Sequence, residues 1–309
     1  MLRYIGIRFS GALFSIVGVA CLVFLLIHLI PGDPVEIMLG ESAKAADKIA
    51  LTQKLGLDKS MSEQFVAYVK GVVTLDLGKS FYKNKPIVDL ILERYPATII
   101  LALVSLVIAL LIALPLGAIA ATRKNTLADH GAMTFSLLGV SIPNFWMGQI
   151  MIIIFALGLG WFPVSGYSGF SSIVLPAITL GTALSAILAR MVRSTLLEVL
   201  NEDYIRTARA KGLSESKVIY VHALRNALLP IITLVGLQLG TLLAGAVITE
   251  KVFSWPGIGL LAVEAIQKRD YPLVQACVLV ISITYVGVNV FTDIVYAVID
   301  PRIRRGSRD

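Results

Sequence analysis

Ionisable side chains at regular helical spacing, or alone inside an apolar run, are where chemistry becomes possible. This chain has two such places. The first is Asn201 to Pro230, NEDYIRTARAKGLSESKVIYVHALRNALLP, a long charged stretch between apolar runs. It carries Arg206, Arg209, Lys211, Lys217 and Arg225 against Glu202, Asp203 and Glu215. No phosphate-binding loop, metal-ligand cluster or nucleophile constellation accompanies them, so these charges suit docking and not catalysis. The second place is the last apolar run, where Asn289 and Asp293 stand four apart on one helical face. A carboxylate this deep must be paired, protonated or wet. A fixed bond to a neighbouring helix is expected, with Arg190 or Arg193 as partner.

Two further strings imitate nucleotide sites. Leu77-Gly78-Lys79-Ser80 resembles the tail of a phosphate-binding loop, but position 73, where the first glycine belongs, is Val73. Gly257-Ile258-Gly259-Leu260-Leu261-Ala262 fits a dinucleotide fingerprint on paper, yet no strand precedes it and no ribose-binding acid follows.

The elements that must position the charged stretch can be read from its own residues. Asn201 is suited to cap a short helix of about ten residues, roughly 15 Å long. Gly212 ends it in the left-handed conformation that a side chain disfavours. Ser214 caps a second helix running to Pro230. Ala208 and Ala210 keep the first helix slim, while Arg206, Arg209 and Lys211 give it charged handles. A small rigid peg of this kind fits a socket in another protein.

The surrounding chain is a membrane protein. Of 309 residues, 57% are hydrophobic and 15% charged, and mean hydropathy is +0.82. No soluble domain of this size needs so much apolar surface. The formal charge of +7 does not point to nucleic acid, because no basic face is interleaved with aromatics. Cys21 and Cys277 both lie in apolar runs and read as packing residues, not a disulfide.

Apolar runs predict six spans. Phe9 to Ile30 is the first, too long in its core for a cleaved signal. Tyr95 to Thr122 is the second, with Pro115 as a kink. Gly131 to Ala189 holds no Asp, Glu, Lys or Arg over 59 residues, enough for two spans. They divide at Gly158 to Ser172, and Ser141-Ile142-Pro143-Asn144 should bend the third. Asn226 to Thr249 is the fifth, where Gly236 and Gly240 allow close helix packing. Leu273 to Ile299 is the sixth.

Between the first two spans, residues 31–94 hold nine Lys/Arg and nine Asp/Glu. Loops this long escape the positive-inside rule. The region is ordered: Ser60 to Glu63 is a capping box, and Phe65, Val66, Val69, Val72 and Val73 follow at helical spacing. Pro86 opens a short helix suited to the membrane interface. Elsewhere, 15 Lys/Arg fall in one set of segments and three in the opposite loops, which places both termini in the cytoplasm.

Thr207 to Gly212 (TARAKG) followed by His222 to Pro230 (HALRNALLP) resembles the EAA loop of ABC-importer permeases, in the form carried by the dipeptide, oligopeptide, glutathione and nickel permease family. Arg206 stands where the general pattern has Glu, and the gap from Gly212 to Pro230 exceeds that of sugar-type permeases. Both departures are typical of the peptide and nickel branch. The strings PGDP (Pro31 to Pro34), LGLD (Leu55 to Asp58), DLGKS (Asp76 to Ser80), FSWPGIG (Phe253 to Gly259) and RDYP (Arg269 to Pro272) resemble the same family in collinear order.

The resemblance implies an all-α polytopic fold of the type I ABC importer class in the inner membrane. Residues 1–94 would hold the first span and an extracytoplasmic region, and 95–309 a five-helix core with a cytoplasmic coupling loop at 190–225. It implies that Asp203, Tyr204, Arg206, Thr207, Ala208, Arg209, Ala210, Lys211 and Gly212 dock on an ATPase subunit. A homologous permease, two ATPases and a solute-binding protein would complete the importer, with ATP and Mg bound by the ATPases and no cofactor by this chain. Peptides are the expected substrate; nickel, glutathione or opines are alternatives. Asn144, Gln238, Asn289 and Asp293 are candidates for the translocation path. The rival class, a membrane-embedded enzyme, would have to rest on His28 and Asp293 alone.

Overall fold

The computed structural model describes residues 2–29, 34–40 and 44–299. Most of PGDP and the tail arginines Arg302, Arg304, Arg305 and Arg308 lie outside the described residues. The chain forms α1 (Leu2–Leu29), α2 (Pro34–Leu39), α3 (Ala45–Leu55) and α4 (Met61–Thr74). Ser60 caps α4 through the expected capping box with Glu63. Next comes α5 (Ile87–Thr122), in which the expected interface helix and the second span are one continuous helix with Pro96 and Pro115 inside it.

Helices α6 (Leu127–Ser141) and α7 (Asn144–Met151, continued by a π turn Ile152–Gly158) meet at 100°. The bend falls where the sequence places it. Pro143 forces Ile142 into extended backbone (φ −85°, ψ 120°), which ends α6. Then follow α8 (Ser171–Leu200), α9 (Asp203–Ala210), α10 (Glu215–Lys217), a π turn Val218–Ala223 and α11 (Leu224–Gly245). The helix begun after Ser214 does not stop at Pro230, as its sequence suggests. It runs through the proline and bends by 55°. The proline costs one backbone bond and kinks the helix, and packing of α11 on α14 and α8 holds it together across the kink. The chain closes with α12 (Val247–Val252), α13 (Ile258–Gln267) and α14 (Tyr271–Ile299). Among the described residues, four helices are long and apolar enough to cross a membrane, and the two bent pairs bring the number to as many as six.

The centre is a parallel pair, α5 and α8. Leu101, Ala102, Ala109 and Ala113 pack on Ile173, Ala177, Leu180, Leu184 and Leu188, with Leu242 of α11 closing the cluster. Small residues allow the approach: a Cβ on Gly117 would lie 2.6 Å from Val192, and one on Gly181 2.9 Å from Ile108. Gly236 and Gly240 do the same for α11 against Thr292 and Tyr285 of α14. Cys277 is buried in the core and both thiols are free.

At the Ile87 end of α5, the strings that imitate nucleotide sites are structural. Trp255 is fully buried and donates from its indole nitrogen to the Ala97 carbonyl at 2.9 Å. The Glu250 side chain is also fully buried. It accepts from the Thr98 hydroxyl at 2.6 Å and from the Leu260 N–H at 2.9 Å. Gly257 and Gly259 lack side chains because the Glu250 carboxylate occupies that space. Nearby, Asp270 accepts from the Ser80 hydroxyl and from the N–H groups of Phe81 (3.2 Å) and Tyr82 (3.3 Å), and Lys83 pairs with Glu264 at 3.2 Å. DLGKS and RDYP are thus two halves of one clasp.

Burial pushes the Glu250 carboxyl above its ordinary range, against the pull of the Thr98, Leu260 and Gly259 donors. A raised carboxyl stabilises the fold fully below its unfolded value near 4.5 and loses that contribution as pH rises through the folded value. The unfolding temperature of the solubilised protein, minus that of Glu250→Gln, should therefore fall as pH climbs from about 4.5. A difference that rises with pH would mean that the donors outweigh burial.

Candidate functional site

At the other end of α5, helix α9 sits on a small apolar seat. Ile205 is fully buried and Ala208 nearly so, against Ala118 and Ala121 of α5, Leu196 of α8, and Val218, Ala223 and Ala227. Ile205 is the anchor of this helix. The sequence signals it only as the sole branched aliphatic residue among charged ones. Ala208 belongs to the seat and is not on the exposed face with the other docking candidates.

Two sequence expectations change here. Asn201 does not cap α9; it ends α8, with its amide donating to the Leu197 carbonyl at 2.9 Å. Glu202 takes the capping position, and α9 has eight residues, not ten. Gly212 behaves as expected, with φ +76°. Its N–H and that of Leu213 turn back to the carbonyls of Arg209 (2.9 Å) and Ala208 (3.4 Å), closing the end of the helix.

The opposite face of α9 is open. Asp203, Tyr204, Arg206, Thr207, Arg209, Ala210, Lys211 and Gly212 are all exposed. Arg206 pairs with Asp203 at 3.3 Å, one turn back, on a fully solvated edge. Arg209 grips Glu215 across the turn through two bonds, of 2.6 and 3.2 Å, and the Glu215 carboxylate raises its pKa. Tyr204 accepts from Asn226 at 2.7 Å, tying α9 to α11. The result is a rigid, polar peg with a fixed direction.

Just above the seat, Arg193 of α8 donates to both carboxylate oxygens of the buried Asp129 on α6, at 2.6 and 2.7 Å. The Asn125 N–H adds a third bond at 3.0 Å. This clasp joins the start of α6 to α8, so Arg193 is not available to Asp293. The expected ion pair of Asp293 exists with another partner: Arg8 of α1, at 3.2 Å. Sequence reading missed this partner because Arg8 reads as a flanking charge before the first span.

The path candidates are not brought together as a group. Asn144 is exposed at the start of α7 and Gln238 is half-buried in α11. Asn289 turns toward α11, where a Cβ on Gly240 would lie 3.6 Å from its Oδ1, and that oxygen is buried without a hydrogen-bond partner. Asn289 and Asp293 thus share α14 but face α11 and α1 respectively. Among the described residues, no three His, Cys, Asp or Glu side chains gather as metal ligands do.

Comparison with known proteins follows the same outline. The family described as "Binding-protein-dependent transport system inner membrane component" matches residues 113–305, and its N-terminal counterpart matches residues 1–102. The chain belongs to this family. This inner membrane component is 45% identical to the di/tripeptide transport system permease protein DppB of Pseudomonas aeruginosa, covering 98% of the chain and 99% of that protein. It is 41% identical to the glutathione transport system permease protein GsiC of Escherichia coli K12, again over 98% and 99%. In fold it resembles a chain of the inward-facing MetNI methionine ABC transporter (TM-score 0.58, 20% identity, 70% of this chain and 99% of that one). It also resembles an amino acid ABC transporter crystallised with histidines (TM-score 0.52, 13% identity, 70% and 94%). This permease therefore has the all-α polytopic fold of type I ABC importers and is a multi-pass inner membrane protein.

The Arg8–Asp293 pair gives a direct test. Asp293→Asn leaves the Arg8 guanidinium facing a neutral amide at the edge of the apolar window of α1, and should lower the yield of folded permease. Arg8→Met alone should do the same. The double variant Arg8→Met/Asp293→Leu should recover most of the loss in detergent-extracted yield. Single losses that simply add would show the pair to be uncoupled.

Proposed function

We propose that this permease forms half of the pathway of an ATP-driven importer of di- or oligopeptides, paired with a homologous permease. Two cytoplasmic ATPase subunits bind ATP and Mg, and a solute-binding protein delivers substrate on the outer face. Both termini lie in the cytoplasm. The observation that carries the reading is the build of α9: anchored through Ile205 and Ala208, stopped at Gly212, and open along Arg206, Thr207, Ala210 and Lys211. A helix fixed on one face and charged on the other transmits a push, because it cannot yield against its own seat.

Closure of the ATPases on ATP moves the two pegs toward each other. Each peg acts on the ends of α5 and α8, which the seat joins directly, and the small-residue seam carries that displacement along the pair. The pore then changes from inward-facing to outward-facing. Peptide substrates agree with the relative named for di/tripeptides. Glutathione, itself a tripeptide, is the second reading, favoured by the relative named for it. This chain performs no bond chemistry in the cycle.

A Cβ at Gly212 would meet nothing within 4 Å, so substitution there acts on the backbone and not on packing. Gly212→Val should misdirect the turn at a local cost of about 1–2 kcal/mol. Arg206→Glu reverses the charge on the open face without touching the seat. Both variants should insert normally yet lose ATP hydrolysis stimulated by loaded binding protein in the reconstituted transporter. Full stimulation in both would remove α9 from the coupling role.

A further inference from the structure

Helix α4 carries a continuous apolar arc. Tyr68, Val72, Phe65, Val69, Val73 and Val66 follow one another around about 160° of its circumference at 3.6 residues per turn. Half of that arc is used. Phe65 meets Phe24 of α1 edge-on with ring centres 5.1 Å apart, Tyr68 stacks on the same ring at 5.8 Å, and Gln64 lies 3.1 Å from the His28 ring nitrogen. Phe24 is buried as a result. The other half is open, with Val66 64%, Val69 39% and Val73 78% exposed.

The attachment point sets the depth of that open half. The apolar window of α1 runs Arg8–Leu25, and α4 is fixed to it at Phe24 and His28. Helix α4 therefore lies at the end of the hydrocarbon layer remote from Arg8, where acyl chains give way to head groups. On α1 at the same level, Leu22, Leu25 and Leu29 are more than half exposed. The open valines continue that surface sideways. Lys70 borders the groove that Val66, Val69 and Val73 form, and a lysine at such an edge can lay its stem on apolar surface while its ammonium stays in water. Glu63 and Thr74 make the polar flank beyond Val66, and Ser62 in the first turn is the one polar residue on the arc itself.

We propose that α4 lies in the head-group boundary of the bilayer, with Val66, Val69 and Val73 immersed at the acyl-chain ends, so that lipid is the partner of this face. A helix with one apolar flank on a span and the other on lipid anchors the 34–86 region at a fixed height above the pore.

The test uses the full chain, assembled with its partner subunits in phosphatidylcholine vesicles. Cys21→Ser and Cys277→Ala remove the native thiols. A nitroxide is attached in turn at Val66→Cys and Val73→Cys, with Phe14→Cys as the lipid-facing control and Lys59→Cys as the aqueous one. Both valine positions should collide more with oxygen than with a water-soluble nickel chelate, in the sense of Phe14→Cys and opposite to Lys59→Cys. Collisions dominated by the chelate would show the face to be in water. Exclusion of both reagents would show that protein covers it. Either outcome overturns the proposal. Val73→Trp keeps the test decisive if the labelled variants fold poorly. Its added fluorescence should be quenched by lipids brominated near the head group, and an unquenched increment contradicts the immersion.

Discussion

The close approach of α5 to α8 is the contact on which the remainder of the structure depends. Gly117 against Val192 and Gly181 against Ile108 bring two parallel helices together along their shared length. From Thr98 to Ala121 the pair spans about 35 Å at 1.5 Å per residue. One end carries the Glu250, Trp255 and Asp270 network, and the other carries the seat of α9. Without that seam neither end has a fixed relation to the other. A side chain at Gly117 would separate the helices where the seat of α9 begins.

The polar contacts follow from solvent. Away from water an unpaired carboxylate is costly, and with Asp129 and Glu250 buried and Asp293 partly covered, each is held by a specific partner. Asp129 has Arg193, Asp293 has Arg8, and Glu250 has the Thr98 hydroxyl with backbone N–H groups. They join α6 to α8, α14 to α1 and α12 to α5, all distant in sequence, and Glu250 also ties α12 to its neighbour α13. These bonds specify which helices are neighbours, while the small-residue seams specify how close they come. Among the described residues the charges of α9 make no such bond to a distant helix, and they are exposed on its open face.

Much of this was legible in the residues. Apolar runs located the spans, Gly212 the end of α9, Pro143 the sharp break after α6, and Ser60 with Glu63 the start of α4. What escaped was mostly long-range. Nothing local tells that Arg8 reaches Asp293 or that Ser80 reaches Asp270, because those pairings are decided by helix packing. The glycines of GIGLLA looked like a failed cofactor motif until Glu250 was seen filling the space they leave. Asn201 misled for a local reason: it satisfies the end of α8 and so cannot begin α9. Pro230 misled because a proline can kink a helix instead of ending it where neighbouring helices hold both halves, here α14 and α8.

The proposed contact between α9 and the ATPase is measured most directly by crosslinking. A photo-crosslinking side chain placed at Arg206 in the assembled transporter should form an adduct with the cytoplasmic ATPase subunit. The same group at Lys124, on the loop before α6, serves as the comparison. Adduct formation from Arg206 well above that from Lys124, and blocked transport after irradiation, is the predicted result. No ATPase adduct from Arg206, or equal adducts from both positions, would contradict the account.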